Sequence, residues 1–472
     1  MIGRERERKS LMRAVESSES QFVAVYGRRR IGKTYLVRET LGRQFCFEHS
    51  GIFGETFAGE LSAFRDSLID SGLKDCPMLR SWTQAFRELR RVIVSSRLKR
   101  KVIFIDEMPW MDTPKSGFVS ALDHFWNQWA SARKDVVLVI CGSATSWIID
   151  KVIKDRGGLH NRVTDTIELL PFTLCECEEY AASKKLSMSR REIAETYMVL
   201  GGVPYYWSFF VKELDPVQNI DSLCFARGGK LRDEFSKLYR SLFKSDEGHY
   251  KIIEALGLKK VGMSRAEILR TTGLLDGGTF TKTLEELDQC GFIRRYTAPG
   301  KKRKDALYQL FDNFTLFYFK FMNGDSNPDP NFWQKTSATQ VAAIWKGLAF
   351  ERICLLHVEQ IKKALGISGV LTHVYGGRHD ADDTYPQGAQ IDLLIERGDN
   401  AYNVCEIKFS DERYVIKKRY ADDLRTKVGI FRDLVARGKT VYLTFVTTNG
   451  VLNNSHSGII QSEVTLDDLF RP

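Results

Sequence analysis

Short runs of consecutive apolar residues recur in the first part of the chain. They cover residues 22–26, 102–105 and 136–140, and a helix-forming stretch, residues 35–41, follows the first run. A continuous apolar run of this length is typical of a parallel strand that is buried on both faces. The pattern therefore predicts an α/β fold built on a parallel sheet.

In the middle of the chain, the apolar residues change to helical spacing. This spacing predicts three consecutive helices, at residues 249–258, 264–269 and 279–290, and a capping box begins the second one. Two β-like stretches follow, at residues 292–297 and 306–310. Three helices followed by a hairpin predict a winged helix-turn-helix.

The last part of the chain again combines helix and strands. A helical stretch begins near Gly347, and residues 390–395 and 402–408 are predicted to form two strands of a hairpin. Alternation with period two places Glu406 and Lys408 on one face of the second strand. Asp392 on the first strand would meet them there.

Length and charge limit the number of domains and the kind of partner that we expect. A chain of 472 residues is too long for one core. Lys and Arg exceed Asp and Glu by 70 − 60 = 10, which favours a nucleic acid partner, DNA above all. We find no apolar run of about 18 residues and no signal-peptide core, and therefore expect a cytoplasmic protein without a membrane partner.

The first apolar run leads into a glycine-rich loop of the form G-x-x-x-x-G-K-T. Such a loop before a helix directs several backbone N–H groups at one point, where the helix dipole adds positive potential. We therefore expect the phosphates of a nucleoside triphosphate to bind there, with Lys33 on the β- and γ-phosphates and Thr34 on Mg²⁺. The expected binding residues are Gly27, Arg28, Arg29, Arg30, Ile31, Gly32, Lys33 and Thr34.

Polar residues follow the second and third apolar runs. Asp106 would complete the Mg²⁺ shell, and Glu107 would orient and deprotonate the attacking water. Ser143 would lie near the γ-phosphate and sense hydrolysis. Each also has a plain structural alternative: charges at a solvated strand end for the carboxylates, and a helix cap for the serine.

With these motifs in order, the chain resembles the archaeal and bacterial AAA+-like ATPases of the STAND type. Further similar segments are Gly3-Arg4-Glu5, residues 159–162 and the Gly-Gly-Val-Pro element that ends at Pro204. The resemblance implies ATP as the cofactor, Arg162 as an arginine finger or sensor, and Pro204 packed on the base. A finger that reaches a neighbour implies an ATP-dependent homo-oligomer. Phosphate binding by the loop backbone does not require the side chains of the arginines at 28–30, and the alternative for these side chains is that they are exposed or ion-paired.

The charges of the winged helix leave two roles open. Four cations at residues 301–304, at the tip of the hairpin, favour contact with DNA phosphates. The third helix carries Glu285, Glu286 and Asp288, which are poorly suited to a DNA groove. A lid or regulatory contact, as in these ATPases, is therefore the alternative.

The carboxylates near the C-terminus have the layout D-(x)n-E-x-K. Asp392 and Glu406 supply oxygen ligands suited to Mg²⁺, and Lys408 would steer or activate a water for phosphodiester attack. This region resembles the PD-(D/E)xK nuclease fold, in the DUF234-type version fused to these ATPases, with Glu351 as an additional metal ligand. Basic residues downstream form either a polyanion-binding surface or a solvated helix face. They are Arg413, Lys417, Lys418, Arg419, Arg425 and Lys427.

Together these features predict four domains and one main function. The domains are a P-loop ATPase core at 1–170, a helical lid at 171–240, a winged helix-turn-helix at 241–325 and an α/β restriction-endonuclease-like domain at 335–472. The expected function is an ATP-hydrolysing switch coupled to a metal-dependent nuclease-like domain. The alternatives are a DNA-binding regulator and a signalling ATPase, in both of which the C-terminal domain does not cleave.

Overall fold

The computed structural model describes residues 1–143, 145–153, 159, 161–243, 247–259, 262–297, 305–324, 329–379 and 389–472. These residues divide into two compact units. The first unit comprises Met1–Pro171, Lys237–Asp246 and Lys282–Cys290, and the second comprises Phe172–Ser236, Glu247–Thr281 and Gly291–Pro472. None of the described helices is long and apolar enough to cross a membrane.

The first unit is built on a five-stranded parallel sheet with the strand order β2-β3-β4-β1-β5. The predicted α/β class with a parallel sheet is confirmed. The three apolar runs form β1, β3 and β4, and β3 and β4 are neighbours. The strands are β1 (Gln21–Tyr26), β2 (Phe45–Ser50), β3 (Lys101–Asp106), β4 (Val136–Gly142) and β5 (Asp165–Glu168).

Helices cover both faces of this sheet because its inner strands are apolar on both sides. Along β1, Phe22 and Ala24 belong to one hydrophobic cluster, whereas Val23 and Val25 belong to the other. This alternation is the period-two geometry of a strand. The helices are α1 (Glu5–Glu16), α2 (Lys33–Leu41), α3 (Phe57–Asp70), α4 (Trp82–Ser95), α5 (Met108–Met111), α6 (Phe118–Phe125) and α7 (Thr145–Ile148).

The second unit begins with a group of helices whose starts are fixed by side-chain caps. Thr173, Ser189 and Asp215 each form a capping box at a helix N-terminus, which satisfies backbone N–H groups that have no partner within the helix. The helices are α8 (Leu174–Ser183), α9 (Arg190–Leu200), α10 (Pro204–Trp207), α11 (Pro216–Cys224) and α12 (Glu234–Leu242), of which the part of α12 from Lys237 onward belongs to the first unit.

Three helices and a small antiparallel sheet follow, close to the predicted boundaries. The capping box of Ser264 and Glu267 begins the second helix, as the sequence predicts. The predicted basic segment at residues 301–304 lies outside the described residues. The elements are α13 (Glu247–Leu258), β6 (Met263–Ser264), α14 (Arg265–Thr272), α15 (Gly278–Gln289), β7 (Ile293–Tyr296) and β8 (Leu307–Leu310), with strand order β6-β8-β7.

The chain ends in a mixed five-stranded sheet with the order β13-β12-β11-β10-β9. Its strands β9 to β11 are antiparallel and β11 to β13 are parallel. The strands are β9 (Thr372–His379), β10 (Ala389–Arg397), β11 (Ala401–Lys408), β12 (Thr440–Thr447) and β13 (Ser462–Thr465). The helices of this region are α16 (Asn313–Phe317), α17 (Phe332–Thr336), α18 (Gln340–Leu356), α19 (Val358–Ala364) and α20 (Lys418–Leu434).

Candidate functional site

The glycine-rich loop joins β1 to α2, as the sequence predicts. Gly27 has φ +138°, and a Cβ atom at this position would lie 2.2 Å from the backbone oxygen of Leu169. Only glycine fits this combination of backbone angle and close approach. Gly32, with φ 89°, then caps the helix that begins at Lys33.

The side chain of Lys33 folds back over the loop. Its Nζ donates hydrogen bonds to the carbonyl oxygens of Gly27, at 2.9 Å, and Arg28, at 2.8 Å. Lys33 is buried, and burial lowers its pKa. The loop is thus closed around a desolvated cation, which is the arrangement that an anionic phosphate would stabilise.

Thr34 and Asp106 meet across the ends of α2 and β3. The Thr34 hydroxyl donates to Oδ2 of Asp106 at 2.6 Å, and Oδ1 accepts from the backbone N–H of Glu107 at 2.9 Å. A hydroxyl and a carboxylate at this distance are hard oxygen donors of the kind that Mg²⁺ prefers. The residues present therefore fit a magnesium ion.

Glu107 and Ser143 also form a pair, at the ends of the neighbouring strands β3 and β4. The Ser143 hydroxyl lies 3.0 Å from Oε1 and 2.8 Å from Oε2 of Glu107, and the Ser143 backbone N–H donates to Oε2 at 3.2 Å. Glu107 has left-handed backbone angles, φ 44° and ψ 38°, which are strained for a residue with a side chain. The structure thus brings Ser143 to the carboxylate that the sequence assigns to water activation.

The predicted arginines differ in their surroundings. Arg28 is buried rather than exposed, and Arg29 and Arg30 are half-buried. Arg162 is exposed, in a turn where its backbone N–H donates to the oxygen of Leu159. His160 of the same segment lies outside the described residues. Pro204 belongs to the second unit, where it occupies the first turn of α10.

The second unit brings together the carboxylates predicted near the C-terminus. An irregularity in the register of β10 occurs between Ile391 and Leu394, at Asp392. The Asp392 carboxylate accepts the backbone N–H of Ile407 at 3.0 Å, and Lys408 Nζ donates to Oε1 of Glu406 at 2.7 Å. A bulge re-aims a strand side chain, and bulges are frequent beside active sites.

Glu351 of α18 lies in the same electrostatic environment. Burial and the nearby charge of Asp392 raise the pKa of Glu351, and burial and Glu406 raise that of Asp392. Burial alone would raise the pKa of Glu406, but Lys408 and Lys427 outweigh it and hold that pKa below its usual value. Glu406 is buried, and Glu351 and Asp392 are half-buried. A cation near these carboxylates would relieve their repulsion.

The N-terminal region is similar to a known family of ATPase domains. Residues 1–208 match a family described as an ATPase domain predominantly from Archaea. The match supports ATP binding and hydrolysis by this part of the chain.

A relative and two solved structures are also similar to this chain. The uncharacterized protein MJECL04 of Methanocaldococcus jannaschii is 25% identical over 456 residues, which are 94% of this chain and 92% of that protein. The Walker-type ATPase PABY2304 of Pyrococcus abyssi is 18% identical and covers 67% of this chain and 95% of its own, with a TM-score of 0.47. The ORC2 protein of Aeropyrum pernix, in ADPNP–ADP complexes, is 12% identical and covers 66% and 90%, with a TM-score of 0.34.

The sequence did not single out two residues of the carboxylate cluster. The Tyr420 hydroxyl donates to Oε1 of Glu406 at 2.5 Å, and Lys427 Nζ donates to Oε2 at 2.6 Å. Both residues lie on α20, and their spacing of about two helical turns is the only signal in the sequence that they share a face. The predicted basic surface included Lys427 without separating it from its exposed neighbours.

Proposed function

We propose that this protein is an ATP-hydrolysing switch whose nucleotide state controls a metal-dependent, nuclease-like site that acts on nucleic acid, DNA in the first place. The observation that carries the proposal is the convergence of Lys33, Thr34 and Asp106 at the end of a parallel sheet. The match of residues 1–208 to an ATPase domain supports the same half of the proposal.

In the ATP site, each residue has a separate task. Lys33 would exchange its two carbonyl partners for phosphate oxygens, and Thr34 and Asp106 would hold Mg²⁺. The bound ion would neutralise charge on the β- and γ-phosphates. Glu107 would accept a proton from the attacking water. Arg162 is exposed and would act on the nucleotide of a neighbouring copy, which implies an ATP-dependent homo-oligomer, and Pro204 would pack on the base.

In the C-terminal cluster, Asp392, Glu406 and Glu351 would hold a second Mg²⁺. The ion would neutralise charge on the phosphodiester that is cleaved. Lys408 would orient the attacking water, because its ammonium group reaches the same strand end as Glu406. The mixed sheet and the helix α18 that carries Glu351 are consistent with a restriction-endonuclease-like domain.

Contacts of α9 support coupling between the lid and the cluster. Arg191 of α9 donates to the backbone oxygen of Ser410 at 2.9 Å and lies over the ring of Phe409 at 4.5 Å, just beyond Lys408. One turn further along α9, Glu195 accepts from Lys346 of α18 at 2.7 Å. Movement of this helix would therefore act on both elements that carry the cluster.

The helices α13 to α15 and the three-stranded sheet support a winged helix as the third part of the protein. Such a domain would bring DNA to the cluster through phosphate contacts. The helix α15 carries Glu285, Glu286 and Asp288, which are poorly suited to a DNA groove. The alternative role for this domain is therefore a regulatory contact.

A cleavage assay tests the proposal. The full chain is incubated with single- and double-stranded DNA and RNA, with Mg²⁺ or Mn²⁺, and with ATP, ADP or no nucleotide. We expect ATP-dependent cleavage in the wild type, none in Asp392→Asn, and no ATP dependence in Lys33→Ala. Absence of cleavage under all of these conditions, or equal cleavage by Asp392→Asn, would contradict the nuclease half.

One observation favours a second candidate, a DNA-binding or signalling ATPase whose C-terminal domain does not cleave. Among the described residues, no three or more His, Cys, Asp or Glu side chains are grouped as a metal site requires. DNA binding without cleavage in the same assay, together with intact ATP hydrolysis, would support this candidate.

A further inference from the structure

We infer that a groove beside α20 binds a small molecule with an apolar body and one anionic group. The groove lies between α20, β12 and residues 459–461, which precede β13, and it has a volume of about 290 Å³. Sites for small molecules in proteins begin at about this size. The inference goes beyond the proposed function and does not depend on it.

One wall of the groove is a single face of α20. Arg425, Gly429 and Arg432 line the groove and are spaced at i, i+4 and i+7, so they form a row along the helix. Lys427 lies on the opposite side of the helix, where it contacts Glu406. The groove is therefore separate from the carboxylate cluster.

Gly429 keeps the centre of this wall open. It lies inside α20, where glycine is a much poorer helix former than alanine. A Cβ atom added at Gly429 would meet no atom of the described residues within 4 Å, so the packing around it does not require glycine. What the missing side chain provides is free space between the two arginines.

The rest of the groove favours an apolar group. Its only uncharged polar side chain, Gln461, is already satisfied, because Oε1 accepts the backbone N–H of Leu443 at 2.7 Å and Nε2 donates to the oxygen of Ile459 at 2.7 Å. These two bonds also hold the segment before β13 against β12. The apolar lining residues are Leu424, Val428, Val441, Leu443 and Ile459. An apolar body placed on them would remove apolar surface from water.

The arginines determine the charge of the ligand. Arg425 is already paired, since its Nη1 lies 2.6 Å from Oδ1 of Asp422. Arg432 has no hydrogen bond or ion pair within the part of the chain that the structure describes, and no Asp or Glu is among the described residues that line the groove. One guanidinium group is thus left for one anion, and its fork of donors matches a carboxylate or a phosphate.

The test measures the binding of three probes to the full chain by titration calorimetry. Octanoate and octyl phosphate carry the two anionic groups on the same apolar chain, and octanol is the uncharged control. We expect saturable binding of at least one anion at one site per chain, and binding of octanol that is at least about tenfold weaker. The tighter of the two anions identifies the head group. Equal affinity for octanol, or no binding of either anion, would overturn the inference.

Variants of α20 locate the site. Gly429→Leu fills the open space and should weaken binding of the anion at least about tenfold, without lowering the melting temperature, because leucine is the better helix former. Arg432→Gln should weaken the anion about tenfold and leave octanol unchanged. Arg419→Gln is the matched control, since Arg419 is an exposed arginine of the same helix that does not line the groove. Binding of the anion that persists in Gly429→Leu, or that falls equally in Arg432→Gln and Arg419→Gln, would show that the groove is not the site.

Discussion

Ser143 holds both carboxylate oxygens of Glu107, through its hydroxyl at 3.0 and 2.8 Å and its backbone N–H at 3.2 Å. These bonds fix the orientation of the carboxylate, and Oε1, which has only the shared hydroxyl as a donor, is the oxygen that is left to accept a proton from water. Ser143 is 1% exposed, so water does not compete for its hydroxyl. The pair therefore constrains the group on which we expect ATP hydrolysis to depend.

Replacing Glu107 with Gln should separate nucleotide binding from hydrolysis. The amide keeps the size of the side chain but cannot act as a base, so we expect turnover to fall by at least about 100-fold. ATP affinity should change little, because Lys33 and Thr34 are untouched. Steady-state hydrolysis and equilibrium binding of a labelled nucleotide measure the two effects. Equal losses in both would show that Glu107 serves binding rather than catalysis.

Ser143→Ala tests what the Ser143 hydroxyl does. Hydrogen bonds to a charged group contribute about 1.5–3 kcal/mol each, and part of this must be overcome before Glu107 can act. We therefore expect basal turnover to rise about fivefold with KM nearly unchanged. A tenfold fall would instead support the other prediction, in which Ser143 contacts the γ-phosphate.

The backbone at Gly27 should not tolerate a side chain. A Cβ atom would lie 2.2 Å from the Leu169 oxygen and 2.8 Å from Cδ1 of Ile31, at a φ of +138°. We expect Gly27→Ala to lower the free energy of unfolding by about 3 kcal/mol and to abolish ATP binding. Gly42→Ala is the matched control, since Gly42 has φ −53° and a methyl group added there would meet no atom within 4 Å. Equal denaturation midpoints for the two variants would count against this account of the loop.

His357 should make the second unit sensitive to acid. Its Nε2 accepts the backbone N–H of Leu174 at 2.9 Å, its Nδ1 lies 2.8 Å from the oxygen of Ile353, and burial lowers its pKa to about 4. The neutral ring is the folded form, so the stability it contributes is complete above pH 6.5 and is lost as pH falls from about 6.5 to about 4.

The size of the acid effect is about 3 kcal/mol at most. Chemical denaturation of the wild type and of His357→Gln at a series of pH values measures it. The wild type should lose more stability than the variant between neutral pH and about pH 4.5. Parallel curves for the two proteins would show that His357 does not titrate in this range.

Arg191→Ala tests the coupling through α9. The variant loses the contacts with Ser410, Asp411 and Phe409, and we expect ATP hydrolysis to continue while cleavage no longer depends on ATP. Arg190→Ala is the control, because Arg190 of the same helix contacts Asp467 and Phe470 near the end of the chain instead. Loss of ATP dependence in both variants would indicate general loosening of the helix.

Most residues of the ATP site could be predicted from the sequence because they lie in short, continuous motifs. The residues from Gly27 to Thr34 are contiguous, and a buried strand that ends in Asp106 carries its carboxylate to the edge of the sheet. Ser143 was found for the same reason, but its contact with Glu107 depends on the neighbouring positions of β3 and β4. Neighbours in a sheet follow from tertiary pairing, which no local pattern encodes.

The C-terminal cluster was only partly readable. Asp392, Glu406 and Lys408 lie on two strands of one hairpin. Because side chains alternate between the two faces of a strand, the sequence predicts that these three lie near one another. Tyr420 and Lys427 reach the same carboxylate from a helix whose packing is decided by the whole domain. An arginine or lysine on a polar helix face has the same sequence pattern whether it meets solvent or a buried partner.

The contacts of α9 also determine where the chain can be divided. A fragment that starts at residue 335 would contain Lys346, Phe409 and Ser410 but not Arg191 and Glu195, their partners on α9. It would also leave the buried ring of His357 without the Leu174 N–H. A fragment that begins near Phe172 keeps all of these partners. The smallest piece that keeps these contacts of the carboxylate cluster should therefore include the lid.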